Sequence, residues 1–380
     1  MKNYFKKHLN VSILLILSSC LTLYANNIYK LPEKIDFAGS TVPLEIFDVR
    51  NRIEIVFNNL IYDRRGYMQS IINKQKNQMS IAENILGKFG LDPDFAYVIP
   101  VESNFNSRAT SPSKASGPWQ LMPATARMYG LRVDSQVNER NLIDRSSRAS
   151  AEHLAHLMNI FDNNVFLVLA AFNNGERNVV SMLKSQNSKD FWSCISNSET
   201  DLYVPKIIAY KIILSDPQKY GFQLPTMIKR PIYESCMISL GGEDLPYKKI
   251  TEFLNISFRE FYDVNPHLKY NSYKLESSIP KFTALEILVP QYSKENLLSS
   301  LRNNGYLTSD NIAFNDSSDN APTISEKYTV ENSDNIESIA FRYGISWKKI
   351  AELNDLEIVT MSSGTETAKI YPGQKLIINR

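Results

Sequence analysis

The chain has 380 residues, with 42 Lys and Arg against 40 Asp and Glu, 43% hydrophobic and 22% charged residues. That length suits two or three domains of roughly 150 residues each, apolar enough for real cores. Charge this balanced excludes a general electrostatic grip on nucleic acid, and a mean hydropathy of -0.26 excludes a polytopic membrane protein. Three cysteines and four histidines leave little material for a zinc framework or a disulfide scaffold.

Lys2, Lys6 and Lys7 precede a short apolar run from Val11 to Leu17, and the small residues Ser18 and Ser19 follow. That is the layout of a secretory signal, with an apolar stretch too short to span a bilayer comfortably. Apolar residues resume between Leu21 and Ala25, which keeps an uncleaved anchor as an alternative. Leu17-Ser18-Ser19-Cys20 resembles a bacterial lipobox, which implies a leader of residues 1–20 and a lipid on Cys20. The competing cleavage site ends at Ala25 and yields a soluble secreted or periplasmic protein. Either route takes the chain out of the cytoplasm, and the lipobox makes it a periplasmic outer-membrane lipoprotein. In an oxidising compartment Cys194 and Cys236 are able to pair, and two separate buried thiols fit equally well.

Ile53, Val56, Phe57 and Leu60 recur at helical spacing, as do Ile81, Ile85 and Phe89, so residues 26–85 read as a helical extension. Gly90 ends that pattern, and Asp92-Pro93 supplies an N-cap and a first-turn proline for the next helix. Pro100 predicts a kink or break just before Glu102. Helical patterning continues through Ser146–Met158, Val165–Phe172 and Pro205–Leu214, making residues 86–225 a mostly α domain. Between Ile232 and Pro290 the runs shorten, and Ile287-Leu288-Val289 is strand-like; residues 232–291 read as a small module. Residues 292–325, rich in Ser, Asp and Asn from Thr308 on, read as a linker. Residues 326–380 run strand (Tyr328-Thr329-Val330), helix (Ile336–Tyr343), helix (Ile350–Leu353), strand (Lys375–Ile378), the order of a βααβ module.

Glu102 follows four apolar residues, Val98-Ile99-Pro100-Val101. Partial desolvation there disfavours the carboxylate and raises its pKa, which suits a general acid near neutral pH. Alone this signal is weak, because a Glu at a helix end is usually solvated or ion-paired. Three further patterns add to it. Gly117-Pro118-Trp119-Gln120-Leu121-Met122-Pro123 offers a turn, an aromatic platform and an amide, although Trp119 also fits a core. Ala171-Phe172-Asn173-Asn174-Gly175 sets two amides at a helix end, where they also fit a C-cap. Glu199-Thr200-Asp201-Leu202-Tyr203-Val204-Pro205 adds a carboxylate and a phenol, the phenol equally a packed ring with a satisfied hydroxyl. Amides, aromatics and one buried acid are what a sugar-binding cleft needs. His153 and His156 at i, i+3 beside Glu152 have the spacing of a metal pair, but a surface pair is the simpler reading, and no metal or other cofactor is expected.

Together these motifs, in this order over about residues 90–215, resemble the lytic transglycosylase family with its goose-lysozyme-like fold. The likeness is greatest to its membrane-bound D-type members. Phe172 stands where the family usually has Tyr. The resemblance implies a mostly α, lysozyme-like catalytic domain of the α+β superfamily that cleaves peptidoglycan glycan strands. It implies that Glu102 alone acts as acid and then base on the bond between N-acetylmuramic acid and N-acetylglucosamine, leaving a 1,6-anhydro end. By position it also implies that Ser103, Ser111, Gln120, Met122, Asn173 and Tyr203 line the cleft, and that Glu199 braces it through hydrogen bonds. The end of the chain resembles a LysM repeat, with Ser333-Asp334-Asn335 where Gly-Asp-Thr is usual and an insert, Glu357–Lys369, before Pro372. That implies glycan binding through Asp334, Asn335, Ile336, Pro372 and Gly373. Residues 232–291 look like a more divergent relative of that repeat, with Leu254-Asn255-Ile256-Ser257, Phe258, Phe261, Asn265-Pro266 and Leu288-Val289-Pro290 following its second half. The expectation is an exported, monomeric cell-wall enzyme. The alternatives are a hydrolytic muramidase of the same fold and a non-enzymatic wall-binding scaffold in which Glu102 is structural.

Overall fold

A computed structural model of the chain describes residues 29–226, 231–270, 277–281, 283–307, 325–330, 336, 339, 347–360 and 366–379. The leader, Cys20, Asp334, Asn335, the linker from Thr308 and most of the expected helix after Ile336 lie outside them. The chain divides into two compact units, Met1–Val101 with Leu154–Thr226, and Glu102–His153 with Met227–Arg380.

The first unit is helical apart from the short hairpin β1 (Asp36–Phe37) and β2 (Ser40–Thr41). Helix α1 (Phe47–Asn58) runs through a π-type turn, Asn59–Asp63, towards α2 (Arg65–Lys88). The apolar spacing that predicts α1 is its buried stripe, with Ile53 and Phe57 nearly or fully inaccessible. At α2, by contrast, Ile81 and Phe89, which predict the helix, are exposed, and the buried stripe is formed by Met79, Ala82 and Leu86. Gly90 takes φ +71° just past α2, as a helix stop requires. Asp92 then accepts the Asp94 N–H and Pro93 opens a 3₁₀ turn, Pro93–Tyr97. Helix α3 (Val98–Ser103) continues directly from it. The break expected at Pro100 is therefore absent: Pro100 lies in the first turn of α3, where its missing N–H costs no helical bond. Helix α4 (Pro123–Met128) belongs to the second unit, and α5 (Ile143–Ile160) passes from the second to the first. Helices α6 (Val165–Asn174), α7 (Glu176–Ser185) and α8 (Ser198–Ser215) complete the first unit, with α8 packed on α1 and α6. Arg52 is buried there between Asp48 (2.8 Å) and Asp201 (3.1 Å), tying α1 to α8.

In the second unit the middle module runs strand, helix, helix, strand. Strand β3 (Tyr233–Ser239) pairs antiparallel with β6 (Ala284–Pro290), Tyr233 opposite Pro290 and Ser239 opposite Ala284. Between them lie β4 (Leu245–Pro246), α9 (Tyr247–Leu254), α10 (Phe258–Val264) and β5 (Ser278–Ile279), and α11 (Lys294–Asn303) follows. Their apolar faces form one core that also takes in Val137. The C-terminal module pairs β7 (Ser325–Thr329) antiparallel with β10 (Lys375–Asn379), with α12 (Trp347–Leu353) between them. Its insert forms a hairpin of β8 (Ile358–Thr360) and β9 (Glu366–Ala368).

The two modules share one device. Asn265, just after α10, donates to Phe261 O (3.0 Å) and to Leu288 O (3.0 Å), and accepts Leu288 N (2.6 Å). Asn354, just after α12, donates to Ile350 O (2.9 Å) and Ile377 O (2.8 Å), and accepts Ile377 N (2.6 Å). In each case one amide closes the helix on the residue four back and clasps both polar groups of one strand residue.

Candidate active site

Glu102 is the penultimate residue of α3 and is half-buried; Ser103 closes the helix and is buried. The next turn is unusual. Asn104 (φ 55°) and Phe105 (φ 58°) are both left-handed, and Lys114 and Gln120 repeat that conformation within the same stretch. For a bulky residue such as Phe105 this costs roughly 1–2 kcal/mol and persists only where the surroundings enforce it. Burial of the Phe105 ring is one such constraint.

The loop that follows is pinned from inside. The Ser111 hydroxyl accepts the Ala115 N–H (3.0 Å) and meets Ser113 Oγ at 2.9 Å. The Gln120 side-chain N–H groups donate to Ala109 O (3.1 Å) and Gly117 O (2.8 Å), which commits its nitrogen and leaves Oε1 as the acceptor for a ligand. Trp119 is no platform: it is fully buried and donates to Ser147 Oγ at 2.8 Å, so its role is core packing. Met122 is exposed and precedes α4. Beneath the loop, buried Arg140 donates to Asn138 Oδ1 (2.7 Å), Lys114 O (2.8 Å) and Leu121 O (2.8 Å). Burial pulls its guanidinium below its ordinary pKa. Ser116 Oγ donates to Asn141 Oδ1 (2.9 Å) and accepts from Asn138 (3.0 Å). The sequence reading missed Asn138, Arg140 and Asn141, because nothing local marks them as buried.

The remaining candidates belong to the first unit. Asn173, in the last turn of α6, accepts the Thr200 hydroxyl through Oδ1 at 2.9 Å. Thr200 is held at the start of α8 by Asn197, whose side chain caps the helix through the N–H groups of Glu199 (3.1 Å) and Thr200 (2.9 Å). Glu199 is exposed, and it is the neighbouring Thr200 that bonds Asn173. Tyr203 is buried one turn further on. His153 meets Tyr129 Oη through Nδ1 at 3.0 Å, and His156 faces Glu176 at 3.6 Å. Among the described residues no three His, Cys, Asp or Glu side chains are grouped to hold a metal ion.

In the C-terminal module Pro372 and Gly373 are exposed, and the Gly373 N–H donates to Val330 O at 2.7 Å. Ile336, expected as a glycan contact, is instead wholly buried in the module core with Ile339, Leu376 and Ile378. Cys194 and Cys236 are two separate buried thiols, and burial pushes that of Cys236 up to about 12. No helix among the described residues is long and apolar enough to cross a membrane.

The architecture is thus a mostly helical domain with small βααβ modules. Comparison with family models matches residues 80–195 to the transglycosylase SLT domain and residues 328–379 to the LysM domain. The chain thus carries a transglycosylase SLT domain and a LysM domain, and it spans about two thirds of the length of the curated relatives it matches. It is 32% identical over 321 residues to membrane-bound lytic murein transglycosylase D of Escherichia coli strain K12, covering 83% of this chain and 66% of that protein. The same protein of E. coli O6:H1 matches equally. Among solved structures it is similar to an inactive mutant of the lytic transglycosylase Slt of Pseudomonas aeruginosa, with 26% identity and a TM-score of 0.33 over 40% of this chain and 25% of that one. The 70 kDa soluble lytic transglycosylase of E. coli matches with 23% identity and a TM-score of 0.31 over 36% of this chain and 25% of that one. Glu102, Ser103, Ser111, Gln120, Met122 and Asn173 fall inside the SLT match; Glu199 and Tyr203 fall beyond its end.

Proposed function

We propose that this chain is an exported peptidoglycan lytic transglycosylase, with Glu102 as its only acid and base. The observation that carries the reading is the setting of Glu102. A half-buried carboxyl ends a helix, two left-handed residues follow it, and the stretch lies inside the transglycosylase match. Enforced backbone strain of this kind gathers at functional sites.

The chemistry needs one carboxyl. Glu102 donates its proton to the glycosidic oxygen as the bond from the N-acetylmuramic acid anomeric carbon breaks, and the substrate's own acetamido oxygen attacks that carbon. The Glu102 carboxylate then takes the proton of the muramoyl C6 hydroxyl. The C6 oxygen closes on the anomeric carbon and expels the acetamido group, leaving a 1,6-anhydro ring. Each step leaves Glu102 in the protonation state that the next one requires, and the products together contain the atoms of the substrate, with no water consumed. Glycosidases with two carboxylates divide these roles instead. Gln120 Oε1 serves as an acceptor for sugar N–H or O–H groups, while Ser111, Asn173 and Tyr203 orient the glycan. The LysM module, through Asp334, Asn335, Pro372 and Gly373, holds the enzyme on the wall and raises the local substrate concentration. A lipid on Cys20 adds the outer membrane as a second tether. The enzyme works as a monomer in cell-wall remodelling.

The test is mass spectrometry of muropeptides released from purified sacculi by the protein without residues 1–25. Products ending in 1,6-anhydro-N-acetylmuramic acid support the transglycosylase. Reducing ends, heavier by one water, make it a muramidase, and retention on sacculi without release makes it a scaffold. Glu102→Gln is expected to abolish release and leave sacculus binding unchanged.

A further inference from the structure

Six residues after Glu102, the side chain of Arg108 reaches the middle βααβ module. Its guanidinium donates to Tyr262 O (2.6 Å), Asn265 O (2.9 Å) and Pro266 O (2.9 Å), and touches Leu268 O at 3.5 Å. It also lies 3.8 Å above the centre of the Tyr262 ring. Two of these carbonyls belong to the last turn and cap of α10, oxygens that a helix end leaves without backbone partners. A cation there is favoured by the helix dipole as well, and a planar five-donor group serves several carbonyls at once where an ammonium serves fewer. Arg108 therefore caps α10 from outside the module.

The next residue connects this anchor to the candidate site. Ala109 O accepts both Gly117 N (2.9 Å) and Gln120 Nε2 (3.1 Å). The module meets the same stretch at other points. Asn141 Nδ2 donates to Pro266 O (2.9 Å), Asn138 N to His267 O (2.8 Å), and Lys269 N to Gln136 O (2.9 Å). Val137 shares the core of the module. The segment after α10 is thus spent on the stretch that carries Gln120.

We propose that Arg108 is a positioning residue that makes the middle βααβ module part of the catalytic scaffold, fixing the Gln120 amide through Ala109. The inference rests on the transglycosylase reading. Errors of about 1 Å in a positioned group reduce rates by up to about 100-fold, so Arg108→Ala is expected to lower kcat by at least about tenfold. The test is a double-mutant cycle on the full mature chain, with release from soluble glycan strands as the readout and a thermal melt of each protein. If Arg108 acts through Gln120, Arg108→Ala/Gln120→Ala is no slower than Gln120→Ala alone. A general loss of structure multiplies the two effects instead, and that result overturns the proposal, as does a neutral Arg108→Ala. Should Arg108→Ala fail to fold, Arg108→Lys, which keeps the charge and loses the fork, replaces it in the same cycle with the same two outcomes. A wild-type protein that releases nothing refutes the transglycosylase reading and this inference with it. Turnover by the wild type beside a neutral Arg108 variant refutes the inference alone.

Discussion

Gly117 sits at φ +83°, and a Cβ built on it would stand 1.8 Å from Arg140 O and 2.5 Å from Arg140 C. The obstacle is backbone, and Arg140 is fixed by its bonds to Asn138, Lys114 and Leu121, so it has no room to retreat. Gly117→Ala therefore combines a left-handed penalty with a clash, a loss of at least about 3 kcal/mol. For a unit of the size that holds Gly117, Glu102–His153 with Met227–Arg380, that corresponds to a fall of about 6–12 °C in Tm, read by calorimetry. Thr200 tests the other set of candidates. Its hydroxyl is the partner of Asn173 Oδ1, and the residue is 1% exposed. Thr200→Val keeps the packing and removes that bond, which costs about 1–2 kcal/mol and frees the Asn173 amide to turn. Muropeptide release is expected to slow about tenfold, and Thr200→Ser, which restores the hydroxyl, is expected to recover most of it.

At the scale of elements, the segment that links α10 to β6 carries a buried titratable group, His267, 1% exposed. Its Nε2 lies 2.8 Å from Glu286 O, so the neutral ring donates there, and the buried Nδ1 has no hydrogen-bond partner among the described residues. Burial holds its pKa below the ordinary 6.5; nearby Arg108 lowers it further, while Glu286 and Asp144 oppose the shift. With the folded value below the unfolded one, the unfolded chain binds the extra proton between them. Stability from this group is complete above pH 6.5 and is lost as the pH falls from there towards the folded pKa. The Tm difference between pH 7.5 and pH 5 is expected to shrink in His267→Gln, which keeps a donor for Glu286 O. An unchanged difference assigns the pH dependence elsewhere. The sequence makes some of this legible and hides the rest for physical reasons. Helical stripes such as Ile53 and Phe57 are local, and they were read correctly. Strand β3 pairs with a partner about fifty residues on, and its short mixed run, Tyr233–Ser239, has no local period strong enough to announce it. Arg108 reads as a solvated charge until α10, more than 150 residues later, arrives beneath it. Ile336 looked like a groove residue by position, while its apolar side chain follows the ordinary rule and is buried.

At the scale of the whole chain, the two βααβ modules make different demands on what precedes them. The core of the LysM module, built on Val330, Ile350, Leu376 and Ile378, shares no residue with the core of the middle module. A protein ending at Leu307 keeps the middle core whole and loses only the wall-binding module. It is expected to melt cooperatively and to release muropeptides from soluble glycan strands within about threefold of the full chain, while its retention on sacculi falls as the tether is lost. A protein ending at Thr226 is a different case, because it leaves Val137 exposed as the last member of the middle core. It also removes the carbonyl partners of Arg108, Asn141 and Asn138. Each lost bond removes about 0.5–1.5 kcal/mol, and those of the charged Arg108 about 1.5–3 kcal/mol, together a large share of the 5–15 kcal/mol by which a domain is stable. The stretch from Asn104 to Asn141, with Phe105 and Gln120 in left-handed conformations, then keeps its internal bonds but loses every anchor on the module. The shorter protein is expected to lose both its cooperative melt and muropeptide release. If it retained both, the middle module would be an appendage, and the strain at Phe105 and Gln120 would have to be sustained within residues 29–226 alone.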